Sequence, residues 1–121
     1  MKTPFMTPLK VELSDGDRWR LVEEFTFYTE TLSKNKVYFT LPKGFETDFA
    51  SVPKIFLPFL RWRDKFNKAA VVHDWFYSTK TISRKQADKI FLELMFVLGI
   101  EKYKAYIFYY IVRLFGRLRW K

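Results

Sequence analysis

The hydrophobic pattern of this chain changes its period once, near residue 50, and that switch limits the fold more than any other feature. Before it, apolar and polar residues alternate: Arg18, Trp19, Arg20, Leu21, Val22 and then Phe25, Thr26, Phe27, Tyr28 show the β-branched and aromatic alternation of a half-buried sheet. Ser14, Asp15, Gly16 and Asp17 supply a turn ahead of them. Residues 36–41 (Lys36, Val37, Tyr38, Phe39, Thr40, Leu41) form a further strand, with Ser33, Lys34 and Asn35 as its hairpin loop and Pro42, Lys43, Gly44 as its stop. An antiparallel sheet of about three strands is expected from these segments.

From Ser51 onward the period is helical. Ser51 can cap a short first helix with Pro53 in its first turn, where a missing N–H costs nothing, and Pro58 ends it. Residues 64–78 repeat apolar positions at spacings of three and four and predict a second helix. Ser83 followed by Gln86 forms a capping box for a third, which Gly99 stops, and a fourth runs over 101–119. Strands first and helices after give an α+β class: a small N-terminal antiparallel sheet packed with about four C-terminal helices. The 121 residues are expected to form one domain, with 1–47 mainly strands and 51–120 mainly helices.

Aromatic residues make up 21% of the chain, 14 of them Phe, a content no disordered segment carries. There is no cysteine, which excludes disulfides, thiolate metal sites and cysteine nucleophiles. The first ten residues are interrupted by Pro4, Pro8 and Lys10 and do not form the apolar run of a signal peptide. The apolar stretches 90–100 and 105–112 fall well short of the ~20 residues a membrane span needs. Synthesis in a reducing cytoplasm is expected.

The net charge of +9 is unevenly spread. Residues 1–50 hold seven basic and eight acidic side chains, residues 51–100 nine and four, and residues 101–121 six and one. The positive half favours an anionic partner: lipid headgroups, nucleic acid or an acidic protein. Arg113 and Arg117 lie four apart on the last helix, with Arg119 and Lys121 beyond, and together they are the candidate anion- or partner-binding residues, expected on one exposed face. No named nucleic-acid motif accompanies them.

His73 is the sole histidine. Zinc peptidases of the HExxH kind and HD-type phosphohydrolases need more imidazoles than one, and no GxSxG elbow is present. What fits is a site in which a single histidine acts as general base while carboxylates orient it or hold a hard cation. His73 and Tyr77 share one face of the second helix and Asp74 points about 100° around it. Asp88, on the third helix, can reach the imidazole if the two helices pack antiparallel across the short loop 79–82. Other readings stand beside this one. A lone histidine on an apolar face serves as a core residue, Asp88 complements its helix dipole, and Asp48 caps the Ser51 turn.

His73, Asp74 and Tyr77, followed by Ala87, Asp88 and Phe91, resemble the HDxxY and ADxxF arrangement of phospholipases that cleave the sn-2 ester, especially the cysteine-free versions in parvovirus capsid proteins. The resemblance implies His73 as base for a water, Asp74 as calcium ligand, and Asp88 and Tyr77 as the groups that orient the histidine. The counterpart of that family's glycine-rich calcium loop is residues 45–53, which lack its glycines. A broader resemblance runs over about residues 36–120. The segment Thr47, Asp48, Phe49, Ala50, Ser51, Val52, Pro53, with Ala69, Ala70 to Tyr77 and Ser83, Arg84, Ala87, Asp88, is similar to a family of small uncharacterised phage and prophage proteins. It implies a phage product made in the host cytoplasm and acting with other virion proteins or at the host envelope. The rivals are a purely structural tail or capsid component and a nucleic-acid-binding accessory protein.

Overall fold

The computed structural model describes residues 7–14, 18–47, 63–118 and 120. The chain divides into two compact units, 1–48 and 49–121, at the point where the hydrophobic period changes.

Among the described residues the first unit holds five strands in two small antiparallel sheets: β1 (Val11–Leu13), β2 (Trp19–Leu21), β3 (Phe25–Thr29), β4 (Val37–Leu41) and β5 (Glu46–Thr47). β2 is the middle strand of β1-β2-β5, and β3 pairs with β4. In β3 the alternation read from the sequence is realised: Phe25, Phe27 and Thr29 are buried while Thr26 and Tyr28 are half-exposed. Opposite pairs on the β3–β4 hairpin continue it, with Phe27 stacked on Phe39 (ring centroids 5.6 Å apart) and Tyr28 against Tyr38 at 5.5 Å. Ser33 and Asn35 hold the connecting loop through a 2.9 Å bond from the Asn35 N–H to the Ser33 hydroxyl. Gly44 takes a φ of +92° in the turn that leads into β5, where a side chain would be strained.

This corrects the expected single sheet of about three strands. β1 and β5 have three and two residues, too few to display a period, and they are held by pairing with β2. Opposite Arg20 on β2, Glu12 accepts two guanidinium bonds at 2.7 and 3.1 Å.

The second unit contains α1 (Arg63–Thr79), α2 (Arg84–Val97) and α3 (Lys102–Phe115), followed by a 3-10 turn, Gly116–Leu118. Three helices are therefore described rather than about four. The short helix expected after Ser51, and the motif residues Asp48, Ser51 and Pro53, lie outside the described residues. α2 packs on both α1 and α3. Its start is the expected capping box: the Ser83 hydroxyl accepts from the Gln86 N–H, and the Gln86 side chain accepts from the Ser83 N–H, each at 3.1 Å. Its end is a Schellman turn on Gly99 (φ +88°), with the Ile100 N–H donating to the Met95 carbonyl at 3.0 Å and Gly99 N–H to Phe96 at 3.1 Å. The last helix is shorter than the 101–119 expected, because the chain tightens into the 3-10 turn at Gly116. Buried side chains include Ala69, Val72 and Phe76 of α1, Ile90, Phe91 and Leu94 of α2, and Phe108 and Val112 of α3. Among the described residues no helix is long and apolar enough to cross a membrane.

Candidate active site on three helices

Helical spacing brings His73 and Tyr77 onto one buried face of α1, one turn apart, with ring centroids 4.2 Å from each other. The four residues 80–83 return the chain so that the inner face of α2 meets them: Phe91 lies 4.7 Å from the imidazole, ring to ring, and Asp88 lies beside it. His73 Nε2 is 2.6 Å from Asp88 Oδ1, and the Tyr77 hydroxyl donates to the same oxygen at 2.7 Å. The expected contact between His73 and Asp88 is therefore present.

The second oxygen of Asp88 is used as fully as the first. Arg113 Nη1 of α3 donates to Oδ2 at 2.7 Å, and Arg84 Nη1, one turn before Asp88 on α2, stands 3.5 Å from it. Arg84 also donates to the carbonyls of Val112 (3.2 Å) and Arg113 (3.4 Å) in the last turn of α3. Asp88 is 0% exposed and His73 2% exposed. Burial alone would raise the Asp88 carboxyl, but the donors from His73, Tyr77 and Arg113 outweigh it and hold it below its ordinary value. Tyr77 moves the other way: burial, then the hydrogen bond to and negative charge of Asp88, push its phenol far up.

Arg113 is thereby reassigned. It does not share an exposed face with Arg117; its guanidinium is turned inward onto the buried carboxylate, while Arg117 remains exposed in the 3-10 turn. A buried anion captures the nearest cation that can reach it, and the arginine spacing in the sequence carried no sign of that anion. Arg119 and Lys121 lie outside the described residues. Two other members of the cluster are Arg84 and Gly116. The signal for Arg84 is its place four residues before Asp88 on the same helix. Gly116 is buried, and a β-carbon on it would run into the Tyr77 hydroxyl and stand 3.0 Å from Arg84 Nη1.

Asp74, the calcium ligand implied by resemblance, is half-buried on α1. Among the described residues no group of three or more His, Asp or Glu side chains is placed to hold a metal ion. The loop counterpart at 45–53 lies outside the described residues from Asp48 on.

The fold and the cluster define a small α+β protein whose helical unit is organised around a buried His–Asp–Tyr–Arg network. The chain belongs to the family described as protein of unknown function DUF1353, which it matches over residues 19–112. It is also 36% identical over 88 residues to the uncharacterized protein y4iH of Sinorhizobium fredii, an alignment that takes in 71% of this chain and 36% of that protein. The chain thus spans little more than a third of that relative's length. No solved structure matches it.

Proposed function

We propose that the helical unit carries a histidine general-base site for ester hydrolysis of the sn-2 phospholipase kind, in a phage-encoded protein acting with the virion or at the host envelope. The observation that carries the reading is the placement of His73 Nε2 and the Tyr77 hydroxyl on one oxygen of Asp88. An ionised carboxylate only accepts, so Nε2 holds the hydrogen, and the neutral imidazole then has its basic lone pair at Nδ1. Nδ1 takes the proton from an attacking water, and Asp88 stabilises the imidazolium that forms. Tyr77, Arg113 and Arg84 fix the carboxylate, as oriented bases require. Three of these residues, His73, Asp88 and Tyr77, are those to which the resemblance assigns these roles. The similarity to phage and prophage proteins supports the virion setting.

A second reading is favoured by a different observation. The imidazole and carboxylate are 2% and 0% exposed, and two arginines share the carboxylate, which suits a network that ties three helices together without turnover. Release of fatty acid from mixed phospholipids, with and without calcium, separates the two. The hydrolase reading expects release by the wild type and none by His73→Asn at an unchanged circular-dichroism spectrum. A folded wild type that releases none under either condition leaves the network as architecture.

A further inference from the structure

The outward side of α3 also carries large apolar and aromatic side chains. Ala105, Phe108, Ile111 and Val112 face the core, while Tyr103, Ile107, Tyr110 and Leu114, spaced four, three and four apart, form one exposed stripe. Ile107 is 52% and Leu114 69% exposed, and neither is an amphipathic side chain with a polar tip to excuse it. Tyr106 widens the stripe by stacking on Tyr110, ring centroids 6.3 Å apart. The helix Lys102–Phe115 contains no acidic residue, and Lys102 and Arg117 are exposed at the two ends of the stripe.

We infer that this stripe is a docking face for an anionic lipid surface, on which α3 lies in the interface plane with Ile107 and Leu114 among the acyl chains. The inference deepens the hydrolase reading and rests on it only for its purpose, since it supplies the surface on which that site meets a lipid ester. Tyrosines suit the boundary, with rings in the apolar layer and hydroxyls at the headgroups, and Lys102 and Arg117 extend to the phosphates. Charge decides among occupants. A second copy would bring two chains of net charge +9 together across α3, a helix with no acidic residue to pair with the other copy's cations, whereas anionic headgroups complement it. Nucleic acid would meet the same charge but would leave Ile107 and Leu114 in water.

The test is co-sedimentation of the full chain with vesicles of phosphatidylcholine alone and of phosphatidylcholine with an equal part of phosphatidylglycerol. The wild type is expected on the anionic vesicles, less so as salt rises. The double substitution Ile107→Ser with Leu114→Ser, at exposed sites, is expected to weaken binding by roughly tenfold or more at low salt. Lys102→Glu with Arg117→Glu is expected to remove the salt-sensitive part. A wild type that stays in the supernatant overturns the inference, and so does a Ser double variant that binds as the wild type does. So does a wild-type dimer that the Ser double variant splits into monomers, which would assign the stripe to a second copy. Hydrolysis of a monomeric short-chain phospholipid keeps the two readings apart. Turnover there without vesicle binding removes the docking face alone, and vesicle binding without turnover removes the hydrolase alone.

Discussion

The Tyr77 hydroxyl occupies the space where a β-carbon on Gly116 would stand, so the glycine that opens the 3-10 turn after α3 is also what lets α1 deliver its phenol to Asp88. Nothing in the Gly116 backbone requires glycine, since its φ of −62° is ordinary helix. The requirement is close approach. The Tyr77 and Trp120 rings also meet edge to face, with centroids 5.0 Å apart.

Gly116→Ala is accordingly expected to destabilise the helical unit by about 1–3 kcal/mol, the usual cost of overpacking. Tyr77→Phe removes the oxygen that the new methyl would strike, so Gly116→Ala should cost less in the Tyr77→Phe background than in the wild type. The coupling is expected to be on the order of 1 kcal/mol, measured from urea midpoints across the four proteins of the cycle. Additive penalties would mean that the methyl is accommodated elsewhere.

Asp88→Asn should be the most damaging single change at the network. The amide keeps the shape but loses the charge, and it brings its own N–H donors against groups that only donate, Arg113 at 2.7 Å among them. Breaking a buried ion pair by removing one partner costs about 3–5 kcal/mol. Arg113→Ala should follow it in sign and fall short of it in size, because Arg84, His73 and Tyr77 remain on the carboxylate. Thermal unfolding followed by far-ultraviolet circular dichroism gives the ranking, and an Arg113→Ala protein less stable than Asp88→Asn would contradict it.

How far the sequence discloses this arrangement depends on whether a residue's role is local. The period-two run in β3 and the three-and-four spacing in α1 are each settled within a few residues, and both elements end within a residue of the bounds expected for them. The capping box at Ser83 and the stop at Gly99 are local hydrogen-bond patterns and were equally legible. The contact of His73 with Asp88, fifteen residues away, could be read because a short loop leaves two helices few ways to pack. Arg113 joins the site from a third helix and Gly116 from the 3-10 turn after it, and no spacing rule links them to Tyr77 or Asp88. β1 and β5 were lost for the same reason, since their pairing with β2 is decided by distant partners.

Removing the cap at Ser83 should have a modest and separable effect. Ser83→Ala deletes the acceptor for the Gln86 N–H while leaving the Asp88 network in place, and a cost of about 1 kcal/mol is expected. Ser83→Asp should restore most of it, because a carboxylate accepts the same bond and complements the helix dipole. Urea denaturation of the three proteins measures both steps. A cost well above that of other N-caps would show that the start of α2 also holds Arg84 in place.

The two shifted groups of the network predict a plateau of stability with an edge on each side. Asp88 has its folded value below the ordinary ~4 of an aspartate. A depressed acid stabilises the fold at pH above that ordinary value, and the contribution is lost as pH falls through the folded one. Tyr77 has its folded value raised above the ordinary ~10 of a tyrosine, first by burial and then by Asp88. A raised group contributes fully below the ordinary value, and the contribution is lost as pH climbs through the folded one. The alkaline limb is isolated by the difference between wild type and the Tyr77→Phe variant. The stability lost on Tyr77→Phe should be constant from about pH 5 to pH 9 and should fall above pH 10, where the unfolded wild type gives up the phenolic proton that the folded protein retains. Urea titrations of both proteins across that range provide the test. A difference that grows above pH 10 would mean that the phenol ionises more easily folded than unfolded, and the hydrogen bond to Asp88 would then not be the one that holds it.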